Sequence, residues 1–344
     1  MQNFDEYVRQ GEPDKAEKAQ AWKTAIGLQK VDGLSPSDYL IDTARQNIEG
    51  DITIAEVKQR IDSYYQQHPV INDENRTEEA DKVSARIAEM LGEKTFTFSP
   101  AEYLSIHGRL FQDIYSYAGK IRDYNITKQE WVLNGETVLY ASAQSLKETL
   151  AYDFEQEKKF SYKGLSQQAY IEHIAQFISN LWQIHVFGEG NTRTTAVFLI
   201  KYLRKLGFKE VNNDLFALHS WYFRNALVRA NYENLSKGIH NTDQFLVFFL
   251  SSLLLNENHV LKNREIHVQY IPSDTESSEK TEKSSKKITA LIKRNTQITI
   301  KELAEQLQLS TRAVEKNIAK LKSDGKLERI GPSNGGHWKI NSKK

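Results

Sequence analysis

The chain contains no cysteine, which excludes disulfides, thiol nucleophiles and cysteine-ligated zinc. It contains no apolar run approaching the roughly 18 residues of a membrane-spanning helix, and no charged-then-apolar N-terminal segment of the export type. A cytoplasmic protein without membrane partners is the expectation. Charge of one sign is scarce only at the level of the whole chain, where the net charge is +1. From Ser284 onward there are 14 Lys and Arg against 5 Asp and Glu, a balance of +9, and the remainder carries −8. A basic module follows an acidic body, which directs any nucleic-acid reading to the module. The 344 residues, 39% hydrophobic, suffice for two or three soluble domains at about 100–200 residues each.

The stretch from His185 to Thr194 gathers a histidine, a glutamate, an asparagine, an arginine and two glycines within ten residues. Before it, Ile171, Ile174, Ala175, Ile178, Leu181 and Trp182 have the spacing of an amphipathic helix. After it, Val197, Phe198, Ile200, Tyr202 and Leu203 mark a second helix from about Thr194 to Leu206. Gly188 and Gly190 between them suit a turn with positive φ, and a glycine turn entering a helix N-terminus forms an anion site. Asn191 and Arg193 add donors to phosphate oxygens. Glu189 would repel such a ligand unless a divalent cation lay between them, and Mg²⁺ is the natural candidate. His185, titrating nearest neutrality, is the candidate general base.

These residues resemble the signature loop of the Fic family, His-x-Phe-x-(Asp/Glu)-Gly-Asn-x-Arg, whose members transfer AMP from ATP to a protein hydroxyl. The resemblance implies a catalytic His185 acting as base, a metal-binding Glu189, a nucleotide-binding set of Gly188, Gly190, Asn191, Thr192 and Arg193, and ATP with Mg²⁺ as the requirements of the reaction. Phe187 would anchor the loop in the core. Val186, Thr192 and Ala196 stand where many members have Pro, Gly and a second Arg. The run Ile106-His107-Gly108-Arg109-Leu110-Phe111 is similar to an early helix of the Fic core. Asn225, with Arg229 and Tyr232, is placed by the same reading near the nucleotide.

Residues 1–70 are expected to form an N-terminal helical region, with a loose helix and linker up to about Ser37 followed by a helical hairpin. Within it, the segment from Thr43 to Gly50 resembles the inhibitory helix of Fic proteins and of the small antitoxins that accompany some of them, which implies an inhibitory role for Glu49. Arg45 stands in that motif's Ser/Thr position. Residues 78–258 would be the catalytic body, mainly α, with Asn134-Gly135 between β-prone runs marking a hairpin flap over residues 120–141. A strand edge there would take up the target protein by β-augmentation.

Residues 271–285 are a polar linker. Residues 286–344 have the order of a winged helix, three helices and two strands, with Arg312, Lys316 and Lys320 on the third helix suited to DNA. A single such module makes few contacts, so DNA binding favours a homodimer, and docking to a protein is the alternative use. Two rival functions remain open at this point: a nucleotide-sensing transcriptional regulator with a non-catalytic body, and a Fic enzyme that transfers another phosphate-bearing group.

Overall fold

The computed structural model describes residues 4–69, 76–208, 211, 214–270, 287–307, 311–330 and 336–341, the side chains of 312, 313, 316 and 320 excepted. They form two compact units, residues 1–269 and 270–344. The first is helical: α1 (Asp5–Gln10), α2 (Pro13–Gln29), α3 (Asp38–Glu49), α4 (Ile54–Gln67), α5 (Thr77–Gly92), α6 (Pro100–Phe111), α7 (Leu146–Lys159), α8 (Gln167–Ile184), α9 (Asn191–Lys205), α10 (Asp214–Ala230), α11 (Gln244–Leu255) and α12 (Asn263–Ile266). Among the described residues no helix is long and apolar enough to cross a membrane.

Helix ends are set by side chains the sequence supplies for the purpose. Ser37, Thr53, Ser99 and Ser166 each accept a backbone N–H at the N-terminus of α3, α4, α6 and α8, and Thr53 with Glu56 closes a capping box. Helices α8 and α9 bury Trp182, Phe198 and Leu203 in the common core, and the loop between them adds Phe187, so it is held from both sides.

The N-terminal segment departs from expectation. Far from being loose, α2 packs between α5 and α10. Trp22, Ala25 and Leu28 are buried, and so are Thr24 and Gln29 on its other faces. A helix enclosed on several sides has no single apolar stripe, which is why periodicity missed it. At Gly27 the backbones meet: a Cβ built there would lie 2.3 Å from the Ala217 Cα. A 3₁₀ turn, Lys30–Asp32, continues α2 and ends at Gly33 in the left-handed region, φ 74°.

The helical hairpin α3–α4 docks on α5 through Asp81. Its carboxylate accepts the Ser37 N–H at 2.8 Å, the Ser37 hydroxyl at 2.5 Å and the Tyr65 hydroxyl at 2.7 Å.

The flap also differs from the sequence expectation. Asn134 and Gly135 do adopt the positive φ of a tight turn, 57° and 86°. However, the residues before them, Trp131–Leu133, form a 3₁₀ turn, and no strand ladder follows. Glu130 bridges the two limbs through the backbone, its N–H donating to Glu136 O at 2.9 Å and its carbonyl accepting the Gly135 N–H at 3.0 Å. Val132 and Leu133 are buried side by side in the 3₁₀ turn, which breaks the period of two that Val138, Leu139 and Tyr140 keep in the second limb.

In the second unit, α13 (287–294), α14 (Ile300–Leu307) and α15 (Thr311–Ser323) precede β1 (Leu327–Ile330) and β2 (His337–Ile340). The strands pair antiparallel with Leu327 opposite Ile340. Ile288, Ile292, Leu303, Val314, Ile318, Leu327 and Trp338 form its own core. The Trp338 indole N–H donates to Ile298 O at 2.9 Å, tying β2 back to the helices. The linker 271–285 lies outside the described residues, as do the side chains of Arg312, Lys316 and Lys320.

Candidate active site

His185 is the C-cap of α8 and stands in the left-handed region, φ 51°. That strained conformation for a non-glycine residue turns the chain out of the helix at the imidazole. The ring is 3% exposed, packed against Tyr140 at 4.2 Å between centroids and edge-on to Trp182 at 5.2 Å. Neither ring nitrogen has a hydrogen-bond partner. Burial, reinforced by the nearby Lys128 ammonium, holds its pKa well below the ordinary histidine range, so the ring is neutral at pH 7.

The main chain at His185 is held by one arginine. Arg122, itself buried, donates Nε–H to the His185 carbonyl at 2.7 Å and Nη2 to the Ala141 carbonyl at 2.6 Å, while Nη1 reaches the Tyr124 carbonyl. Both ends of the flap are thereby fastened to the end of α8. The Arg122 backbone N–H also donates to Val186 O at 3.0 Å.

The loop beyond is closed on itself by Asn191, whose side-chain oxygen accepts the Phe187 N–H at 3.0 Å and whose amide donates to the Phe187 carbonyl at 2.7 Å. Thr192 accepts the Trp182 indole N–H at 3.0 Å, joining the start of α9 to the end of α8. These two side chains shape the cradle, and the anion donors left to the loop are its backbone N–H groups at the N-terminus of α9. Gly190 has the expected positive φ, 75°, and the Phe111 ring occupies the space a Cβ would need. Gly188 does not adopt positive φ; a Cβ there would lie 2.5 Å from the hydroxyl of the exposed Tyr124, which would have to swing aside.

His107 of α6 supports the same loop from below. Its Nδ1 accepts the Gly119 N–H at 2.8 Å, which leaves the proton on Nε2 to donate to Glu189 O at 3.0 Å. Desolvation pushes its pKa down to about 4, and the ring stacks on Phe187 at 3.7 Å. The Glu189 carboxylate points the other way, into partial exposure, where the Lys128 ammonium of the flap stands 3.1 Å from both its oxygens.

Arg193 is fully buried, and its guanidinium is hydrogen-bonded through both terminal nitrogens and ion-paired at Nε. Nη1 donates to Gln29 Oε1 at 2.9 Å, Nη2 to Glu79 Oε1 at 2.7 Å, and Nε lies 2.8 Å from Asp32 Oδ2. Its guanidinium also covers the Phe111 ring at 4.7 Å. Arg76 and Tyr115 reinforce Glu79, with contacts of 2.8 Å each to Oε1 or its neighbour network.

Glu49 is not part of this network. Its carboxylate pairs with Lys15 at 3.0 Å, on the far end of α3. The carboxylates that occupy Arg193 are Asp32 and Glu79, because the chain segment reaching α9 is the end of α2 and the start of α5. Asp32-Gly33 repeats the acid-glycine helix ending of Glu49-Gly50 and was the available signal. Asn225 likewise turns to α12, donating to Asn263 Oδ1 at 2.7 Å, while Arg229 donates to the carbonyls of Tyr232 and His240.

A helix-capping histidine with free ring nitrogens, followed by a glycine turn into a helix N-terminus and an acid at the turn, is a site for reaction at a phosphate. Comparison with known proteins agrees: residues 97–203 match the Fic/DOC family and residues 284–336 an HTH domain. The chain thus carries a Fic/DOC domain and a C-terminal HTH domain. Over 142 residues it is 29% identical to the probable protein adenylyltransferase y4lH of Sinorhizobium fredii, covering 40% of this chain and 70% of that protein. Over 141 residues it is 27% identical to the protein adenylyltransferase VbhT of Bartonella schoenbuchensis, covering 40% of this chain but 28% of that protein. Among solved structures, the N-terminal FIC domain of Bep8 from Bartonella sp. 1-1C is 17% identical with a TM-score of 0.42, over 57% of this chain and 93% of that one. A Fic family protein from Desulfovibrio desulfuricans G20 is 13% identical with a TM-score of 0.45, over 100% of this chain and 94% of that one.

Proposed function

We propose that this protein is a protein adenylyltransferase, which transfers AMP from ATP to a hydroxyl side chain of a target protein and is restrained by its own N-terminal helices. The observation that carries the reading is the neutral His185 ring, buried with both nitrogens unpartnered at the mouth of the Fic loop. In the reaction the target oxygen attacks the α-phosphorus, the bond to the pyrophosphate oxygen breaks, and His185 accepts the hydroxyl proton. Tyr140 and Trp182 fix the plane of that ring, and Arg122 fixes the backbone that bears it. The backbone N–H groups at the start of α9 receive negative charge on the phosphate. Since the ring is 3% exposed beneath Tyr140, a target hydroxyl reaches it only when the flap moves.

Glu189, a half-exposed carboxylate at the loop, would hold a divalent cation such as Mg²⁺, with phosphate oxygens of the nucleotide as its further ligands. The cation would neutralise charge on the phosphates. Arg193 is the loop's phosphate clamp, and in this state Asp32, Glu79 and Gln29 hold it away from that task. Restraint is therefore read at Arg193, in place of Glu49. The HTH unit, with its +9 balance from Ser284 onward, is assigned to DNA, and the flap at residues 120–141 to the target protein.

Incubation with ATP labelled at the α-phosphate, followed by electrophoresis with candidate targets, tests the reading. Label is expected on protein with the native chain and none with His185→Ala. Nucleotide bound without transfer by the native chain and by Asp32→Asn would overturn it in favour of a sensor.

A further inference from the structure

Beyond its electrostatic push on His185, Lys128 has no part in the chemistry described above, yet it occupies the Glu189 carboxylate. The ammonium is equidistant from the two Glu189 oxygens, 3.1 Å from each, and so takes the face of the carboxylate that is open to the loop's exterior. It comes from the flap. Its backbone N–H donates to Thr137 Oγ1 at 3.2 Å, so the first limb carries Lys128 while leaning on the second. The pair is reachable by ions, with side-chain exposures of 26% for Lys128 and 44% for Glu189. An ion pair so exposed is weak and exchangeable. A divalent cation needs the same oxygens, and a fixed ammonium on them repels it.

We propose that Lys128 is a displaceable counter-ion of Glu189, so that a divalent cation gains the carboxylate only as the flap limb bearing Lys128 lifts away. The inference rests on the reading of Glu189 as the metal-binding residue. Flap position and metal occupancy then become one equilibrium: metal binding favours the lifted flap, and the lifted flap is what uncovers His185. By linkage, whatever pries Lys128 from Glu189 tightens metal binding by the same factor. Phosphate oxygens of an incoming nucleotide have the chemistry to take over the freed ammonium.

The test is a titration of the full-length protein with Mn²⁺ alone, free ion being followed by electron paramagnetic resonance. Lys128→Met is expected to bind Mn²⁺ about tenfold more tightly than the native chain, and Lys128→Gln, which keeps a polar side chain on the limb, to do the same. Lys128→Arg, which keeps the charge, should match the native protein. Glu189→Gln should weaken binding more in the Lys128→Met background than in the native one, bringing the two to the same low affinity. The proposal is overturned if both neutral variants bind Mn²⁺ no more tightly than the native chain, or if the tightening survives Glu189→Gln. Failure of the adenylyltransferase reading is seen separately, as absence of label on protein, and leaves the Mn²⁺ ranking intact.

Discussion

Arg193 Nε stands 2.8 Å from Asp32 Oδ2, an ion pair that joins the first turn of α9 to the end of a helix more than a hundred residues earlier in the chain. Removing one of the two carboxylates on a buried guanidinium loosens it without leaving it unpaired, because Glu79 remains. Asp32→Asn is expected to raise the rate of AMP transfer about tenfold, equivalent to roughly 1.4 kcal/mol of barrier. Glu49→Gly should leave the rate unchanged, since its carboxylate answers only to Lys15 and Tyr7. Steady-state transfer to a fixed target measures both.

His185→Ala should abolish transfer while nucleotide affinity, measured calorimetrically, stays within about threefold, a change of less than 1 kcal/mol. Because the folded pKa of His185 lies well below the ordinary value, the base is already deprotonated at pH 6. A nuclear magnetic resonance titration of the resting protein should therefore show no protonation of the His185 ring between pH 8 and 6. A titration midpoint near 6.5 would contradict the burial argument.

Two buried neutral histidines also set the acid stability. For His107 the folded pKa is about 4 against 6.5 unfolded, so below 6.5 the unfolded chain takes up the proton and the folded one does not. Stability is then complete above pH 6.5 and falls as pH drops towards about 4, by on the order of 3 kcal/mol from His107 alone. Urea unfolding at a series of pH values, compared with His107→Asn, reads this slope. A native curve flat from pH 7 to 4.5 would refute it.

Arg122 meets several carbonyls that a single ammonium cannot reach together. Arg122→Lys should lower kcat at least tenfold, with nucleotide affinity nearly unchanged, because the flap ends and His185 lose their common anchor. An equal fall in kcat and affinity would mean that the loop as a whole had collapsed.

Full-length protein should bind duplex DNA with an affinity that falls steeply between 50 and 200 mM salt, and a chain ending at residue 269 should not. Binding insensitive to salt would exclude phosphate contacts as its source.

Where a helix presents one apolar face, its residues announced it, as in α6 and α8; α9 and α11, enclosed on several sides, were legible from the density of their apolar residues, and the loop between α8 and α9 carries its chemistry in consecutive letters. The N-terminal helix α2 did not, since Thr24, Gln29 and Lys23 are as buried as Trp22 and Leu28, so its sequence reads as polar and irregular. That one omission is why Asp32, the carboxylate that meets Arg193, went unread beside Glu49. In the flap, Asn134-Gly135 specified the turn, but inward burial of neighbouring Val132 and Leu133 overrode the strand pattern. Lys128, Arg122 and His107 act through partners distant in sequence, and no local spacing could reveal them.

The close approach of Gly27 to the Ala217 backbone has a further meaning. Two main chains in contact leave no space for any side chain, so α2 was fitted to α10 as one part of a single core, and its tip at Asp32 belongs to the same piece. The carboxylate that Asp32 sets on Arg193 is therefore not detachable in the manner of a separate subunit. A truncation that removes α2 should yield an aggregating body, and a rearrangement that freed Arg193 without unpacking the core would be confined to the short turn from Lys30 to Gly33.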